Sequence, residues 1–378
     1  LSSTAALFIG MLSGTSRDGA DAALVRFDND SPKLLASLCV SYPPVLAKGL
    51  KDLIDRRIRP DDETMQRLDQ DLAEFFALAA WGLLEKVGVK AAEITAVGSH
   101  GQTVWHQPQK PQAETLQLGD PQRIADLLGI RTVGHFRQAD LAAGGQGAPL
   151  APLLHQALMM PERGIRAVLN IGGISNISLL HANGSVTGHD TGPGNCLLDN
   201  WIQKHQGQEY DANGQWAAGG KVDRLLLDRL LDDPYFSRKA PKSTGVEYFN
   251  DHWFQIRLNA RKAEFSATHT SLRDVQATLS ELTAYSIADA VRFGSADEVL
   301  VCGGGAHNLD LLQRLRRLLP DKTVETTQKV GLDPDWVEGI LFAWLARERL
   351  SETLQNTAPI TGANAPVLLG DIFEPANS

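Results

Sequence analysis

Three glycine-rich turns, each following a strand-like apolar run, constrain this chain more than any other feature: Ser13-Gly14-Thr15-Ser16, Asp190-Thr191-Gly192-Pro193-Gly194-Asn195 and Gly303-Gly304-Gly305. Apolar runs at residues 5–11 and 20–27 flank the first turn and predict a hairpin. Residues 167–171 and 176–180 repeat that arrangement around Gly172-Gly173, and residues 185–188 lead into the Asp190 turn. A hairpin with a glycine turn near the start of each half predicts two similar lobes. Further strands are expected at 34–42, 94–98, 131–133 and 298–302, with Ser99-His100-Gly101-Gln102-Thr103 following the second of them. Helices are expected at 65–87, 121–128, 196–206, 221–231 and 274–293, and a last amphipathic one at about 334–350. Trp81, Leu83 and Leu84 read as a core stripe. Strands alternating with helices point to an α/β architecture, and 378 residues suit two domains better than one core.

Charge and apolar patterning narrow the partners. A formal net charge of −9 repels phosphate backbones and anionic membranes, so neither nucleic acid nor a membrane is an expected partner. The longest apolar runs, residues 75–84 and 340–346, fall short of the roughly 18 residues needed to cross a bilayer. Residues 1–10 lack a secretion-signal pattern, and Cys39, Cys196 and Cys302 are widely spaced without a CxxC pair. A cytoplasmic location without a disulfide framework or zinc site is expected.

Each glycine turn has a chemical use. Polyphosphate is held by backbone N–H groups with no side chain in the way, and small hydroxyls add donors, which the first turn offers. A carboxylate at a strand end, as at Asp190, can orient a Mg-nucleotide, take a proton from an attacking oxygen, or cap its own turn. The third turn lets a flat nucleotide lie against bare backbone, with a helix from about His307 offering its N-terminus. A single glycine turn is usually a plain tight turn. The order of the three, one opening the chain, one opening its second half and one late, is that of the two phosphate segments and the adenosine segment in actin-like ATPases. Neither the G-x-x-x-x-G-K-[ST] phosphate loop nor a G-x-G-x-x-G dinucleotide turn is present.

Longer blocks make the comparison specific. They are Gly10-Met-Leu-Ser-Gly-Thr-Ser-Arg-Asp-Gly19 with Asp21, Ser99-His-Gly-Gln-Thr-Val-Trp-His106, Gly144-Gly-Gln-Gly-Ala-Pro149 and Leu169-Asn-Ile-Gly-Gly173. The Asp190 turn, Pro241-Lys-Ser-Thr-Gly245, Val301-Cys-Gly-Gly-Gly305 and Glu338 before Phe342-Ala-Trp-Leu345 follow in order. In these blocks the chain resembles the anhydro-N-acetylmuramic acid kinases nearly end to end.

The resemblance implies a two-lobed actin-like (ribonuclease H-like) α/β fold with a central interdomain cleft. One lobe would be residues 1–163 completed by 350–378, the other residues 164–349. It implies hydrolytic opening of the 1,6-anhydro ring with transfer of the ATP γ-phosphoryl group to O6, Mg²⁺ carried with ATP, and a homodimer. Asp190 would be the base that deprotonates water, and Glu338 a second carboxylate in the site. Nucleotide contacts would come from Ser13, Gly14, Thr15, Ser16, Arg17, Asp18, Gly19, Ala20 and Asp21, from Gly172, Gly173, Gly192, Gly194 and Asn195, and from Gly303, Gly304, Gly305 and Asn308. Sugar contacts would come from His100, Gln102, Arg137, Asp140 and Gln146. Closure of the lobes is expected, with residues 241–245 and 142–149 at the cleft edges.

Two departures stand out against the family pattern. His135-Phe136-Arg137-Gln138-Ala139-Asp140 replaces the usual Asp-Phe-Arg-Arg-Arg-Asp, and Arg17 replaces a leucine. Arg137 can still meet a lactyl carboxylate in bidentate fashion. A kinase for another carbohydrate, or a catalytically silent ATP-binding interaction protein, are the alternative readings.

Overall fold

The computed structural model describes residues 6–14, 19–28, 31–56, 62–107, 113–240, 242–264 and 270–376. Thr15, Ser16, Arg17, Asp18 and Pro241, singled out above, lie outside the described residues. The chain forms two compact units, residues 1–154 with 336–378, and residues 155–335.

Strands β1 (Ala6–Ser13), β2 (Gly19–Asp28), β3 (Ser31–Ser41), β4 (Ile94–Gln107), β5 (Glu114–Leu118) and β6 (Thr132–Gly134) lie in the first unit. Strands β7 (Ile165–Ile171), β8 (Ile174–His181), β9 (Val186–Pro193), β10 (Glu298–Cys302) and β11 (Thr323–Thr326) form the second unit's sheet. β12 (Asp371–Phe373) returns to the first.

The first sheet runs β12-β6-β4-β1-β2-β3 with β5 beside β4, and the second runs β11-β10-β7-β8-β9. In each, the first strand pairs antiparallel with the second and the second with the third. Two later strands then add in parallel on the first strand's free side. The recurrence seen in the sequence is thus one topology used twice. Parallel additions require crossovers, which the intervening helices supply.

Helix Val337–Leu350 positions much of the first unit. Val337 and residues 339–346 are all buried, so it is a core helix and not the amphipathic one its sequence suggested. The cause is a close approach to β1, β2 and β4. A Cβ placed on Gly10 would stand 1.8 Å from the Gly339 carbonyl oxygen, and one on Gly98 would stand 2.0 Å from that of Phe342. A Cβ on Gly339 would in turn stand 2.8 Å from the Ala23 Cβ. Only glycine lets two backbones come this near. The packing of this helix groups it with the first unit rather than with residues 164–335, and the boundaries between the two units fall at 154/155 and 335/336.

Other differences are local. Ser99 to Thr103 lies inside the long strand β4, where Gly101 takes φ of 73° and pairing with β1 shifts register, and does not follow the strand as a connection. Leu83 and Leu84 are in the core with Leu72 and Phe76, but Trp81 is 43% exposed and leaves the stripe. Helix Asp251–Glu264 and strand β11 were not anticipated. No helix among the described residues is long and apolar enough to cross a membrane.

Overpacking a close backbone contact costs about 1–3 kcal/mol, occasionally more. Gly98→Ala meets a carbonyl that cannot rotate away, so it is expected to lower unfolding stability by at least that amount. Denaturant titration checks this, and wild-type stability in the variant would contradict the packing described.

Candidate functional site

In the second unit the predicted turns converge at one end of the sheet. Gly172 and Gly173 join β7 to β8 and accept N–H bonds from Asn195, Gly194 and Cys196, at 2.8, 2.9 and 3.1 Å respectively. A Cβ on Gly194 would sit 2.3 Å from the Gly172 carbonyl oxygen. Thr283, buried on helix Leu272–Phe293, donates to the carbonyls of Pro193 and Gly194 and fixes the turn from behind. Gly303 follows β10 with φ of 76°, and its Cβ would lie 2.3 Å from Asn170 Oδ1 at the end of β7. Gly305 is packed on Ile171, and Asn195 Nδ2 donates to the Ile171 carbonyl. Gly172, Gly173, Gly192, Gly194, Asn195, Gly303, Gly304 and Gly305 therefore lie together in one glycine-rich cradle, in which Gly192, Gly194, Gly303 and Gly305 are packed too closely on the protein to carry a Cβ.

Asn308 serves the fold through its side-chain oxygen. Its Oδ1 caps helix Leu309–Leu318 through Leu311 N–H at 3.0 Å, and a Cβ on Gly214 would touch it at 2.1 Å. It shapes the turn from a buried position.

Asp190 lies on β9, and three bonds hold it. Its N–H donates to the Lys242 carbonyl at 3.0 Å, its carbonyl accepts the Tyr235 hydroxyl at 2.7 Å, and its Oδ2 accepts the Thr244 N–H at 2.9 Å. Oδ1 makes no hydrogen bond among the described residues. Burial pushes the carboxyl up to about 6; the Thr244 N–H opposes this, and the charge of Glu247 adds to it. The turn-capping alternative is not realised, since the N–H on Oδ2 comes from 54 residues away. Sequence reasoning missed Tyr235, Thr244 as a donor, and Thr283, because nothing local marks a side chain that acts on a distant backbone.

Tyr235 is anchored in turn. Asp233 caps its helical turn and accepts from Tyr248, Trp253 and Arg257, while the Lys242 ammonium lies 4.7 Å from the Tyr235 ring centroid.

The first unit holds the other candidates. Ser13 Oγ donates to Gln102 Oε1 at 2.7 Å, both being buried where β1 pairs with β4, and Gly14 follows Ser13. Gly19, Ala20 and Asp21 begin β2. A Cβ on Gly19 would meet the Val40 carbonyl at 2.2 Å, and the Ala20 methyl is closed off in the core, so only its backbone can face a ligand. Arg137 Nε donates to His100 Nε2 at 2.9 Å, and His100 Nδ1 is 3.1 Å from the Gly101 carbonyl oxygen. Burial lowers Arg137 to about 10, and the nearby Glu338 charge acts the other way. Glu338 is an exposed first-turn residue of helix Val337–Leu350.

Asp140 has both carboxylate oxygens engaged within the protein. It is fully buried, with Oδ2 accepting the Gly147 N–H and Oδ1 the Thr361 hydroxyl, each at 2.7 Å. It pins the 142–149 loop to helix Ala358–Thr361. Gln146 in that loop presents an exposed side chain while its N–H donates to the Thr361 carbonyl.

The Asp190 environment fixes a sign for pH. A carboxyl that titrates near 6 when folded and near 4 when unfolded binds its proton more tightly in the native state. Its contribution therefore favours the fold at low pH and is lost as pH rises from about 4 through about 6. Denaturant unfolding of wild type and Asp190→Asn should show the wild type losing stability relative to the variant over that interval. A constant difference would contradict the raised value. Glu247→Gln, an exposed change, should move the wild-type midpoint downward.

The model of the family described as anhydro-N-acetylmuramic acid kinase matches residues 6–375. The anhydro-N-acetylmuramic acid kinase of Shewanella halifaxensis (strain HAW-EB4) is 46% identical over 375 residues, covering 98% of this chain and 99% of the relative. That of Shewanella pealeana (strain ATCC 700345 / ANG-SQ1) is 45% identical over 371 residues, covering 97% and 98%. Among solved structures, a ROK family glucokinase from Streptomyces griseus is similar with a TM-score of 0.42 and 14% identity, over 90% of this chain and 99% of that one. With the match running over nearly its whole length, the chain belongs to the anhydro-N-acetylmuramic acid kinase family.

Proposed function

We propose that this kinase acts on 1,6-anhydro-N-acetylmuramic acid with water and Mg-ATP, giving N-acetylmuramic acid 6-phosphate and ADP, a step that returns cell-wall sugar to metabolism. The observation that carries the reading is Asp190: a carboxylate with one oxygen held by backbone and the other open, raised to about 6 beside a glycine cradle. Such a group is ionised at neutral pH yet is a stronger base than an ordinary carboxylate.

In this reading Asp190 takes a proton from water as the water oxygen bonds to the anomeric carbon. The bond from that carbon to O6 breaks, its electron pair stays on O6, and O6 accepts the phosphoryl group. The glycines at 172–173, 192–194 and 303–305 bring bare backbone to one end of the sheet, which suits a polyphosphate and a flat base; Gly192, Gly194, Gly303 and Gly305 are packed so closely on the protein, with a Cβ at 2.9, 2.3, 2.3 and 2.4 Å from its nearest neighbour, that these turns keep their shape only as glycine. When bound, ATP supplies the phosphoryl group and Mg²⁺ charge on its phosphates. The ion is assigned to the nucleotide on the family resemblance. Glu338 orients the water or a sugar hydroxyl, and Arg137 meets the lactyl carboxylate. A homodimer in the cytoplasm completes the proposal, on the family resemblance alone.

The tract His135 to Asp140 supports one alternative, another carbohydrate as acceptor. A panel of sugars assayed for ADP release separates the two. Asp190→Asn is expected to lower kcat about 10²–10⁴-fold with nucleotide binding retained, as measured by calorimetry. Wild-type turnover in that variant would remove Asp190 from the base role, and turnover of another sugar in preference would replace the substrate.

A further inference from the structure

His100 was expected to touch the sugar, but the protein itself uses both of its ring nitrogens. A guanidinium can only donate, so Arg137 Nε at 2.9 Å requires His100 Nε2 to be the acceptor. The ring proton is then on Nδ1, which donates to the Gly101 carbonyl oxygen at 3.1 Å. The ring is 8% exposed and lies on Phe342, with centroids 4.6 Å apart and planes inclined by 33°; Phe342 is backed by Phe136. Orientation, tautomer and position are all fixed.

We infer that His100 is a positioning residue that aims the Arg137 guanidinium, and that Arg137 held in this way selects a carboxylate-bearing sugar. The inference deepens the proposed function and rests on it for the identity of the sugar. With Nε committed to His100, the two terminal nitrogens remain as the face that can take a carboxylate bidentately. A neutral acceptor fixes the guanidinium without cancelling its charge, which an aspartate in the same place would do. Burial first, then the Arg137 charge and His106, hold the His100 pKa well below the ordinary range against the opposing bond to the Gly101 carbonyl, so the ring stays neutral and is not an acid at neutral pH. In the altered tract Gln138 and Ala139 carry no charge, leaving Arg137 as its one arginine.

Two measurements test this. Calorimetry gives the affinity of wild type, His100→Phe and His100→Gln for 1,6-anhydro-N-acetylmuramic acid and for 1,6-anhydro-N-acetylglucosamine, which lacks the lactyl carboxylate. His100→Phe keeps an aromatic ring on Phe342 but loses the acceptor, and should reduce the preference for the acidic sugar about 10–100-fold. His100→Gln, whose carbonyl can accept from Nε, should restore most of it. An unchanged preference in His100→Phe, or equal losses for both sugars, overturns the inference. ¹⁵N NMR of the histidine rings should show His100 as the Nδ1–H tautomer without titration between about pH 5 and 8, with Arg137→Gln raising its pKa. Titration of wild-type His100 in that range overturns the pairing. If neither sugar binds wild type, the substrate reading fails, and the NMR result alone decides whether His100 holds Arg137.

Discussion

The first unit depends on a contact in which side chains take no part: helix Val337–Leu350 lies with the carbonyls of Gly339 and Phe342 against the α carbons of Gly10 and Gly98. That approach places Phe342 beneath the His100 ring and Glu338 at the helix start, where its charge reaches Arg137. Gly98 precedes His100 by two residues on β4, and Ser13 at the end of β1 pairs with Gln102 further along the same strand. His100, Gln102 and Arg137 thus rest on one helix-to-sheet distance, whereas Asp140 and Gln146 are held by Thr361. Any group larger than hydrogen at Gly10 or Gly98 must displace the backbone that carries them.

In the second unit the controlling feature is electrostatic as well as geometric. The Gly172–Gly173 and Gly192–Asn195 turns tie one another by backbone bonds, so the strand end bearing Asp190 has little freedom. Burial raises that carboxyl, and the single N–H on Oδ2 limits how far. A carboxylate saturated with donors would be a poor base, and one without any would stay protonated at neutral pH. The segment from Lys242 to Thr244 supplies both backbone partners of Asp190, which explains why it sits beside that carboxylate.

Much of this was legible in the sequence, and the failures have a common physical cause. Hairpins, glycine turns and the long helices follow from local rules, and the turns at 172, 192 and 303 do meet. Helix Val337–Leu350 was misjudged because an apolar run shows how much of it is buried but not which sheet covers it. Asp140 and Asn308 are polar residues near loops whose side-chain oxygens accept from Thr361, Gly147 and Leu311, partners that no local pattern shows. Trp81 shared a stripe with Leu83 and Leu84 but faces outward. Tyr235, 45 residues from the carbonyl it binds, had no local signature at all. Long-range side-chain-to-backbone bonds are what single-sequence patterns omit.

The central claim is that Asp190 delivers water to the anomeric carbon while O6 receives phosphate. Mass spectrometry of the product formed from 1,6-anhydro-N-acetylmuramic acid, Mg-ATP and ¹⁸O-labelled water tests both halves in one spectrum. The account predicts one ¹⁸O at the anomeric position and an unlabelled phosphate on O6. A phosphorylated sugar with its anhydro bridge intact, or label in the phosphate and none at the anomeric carbon, would contradict it.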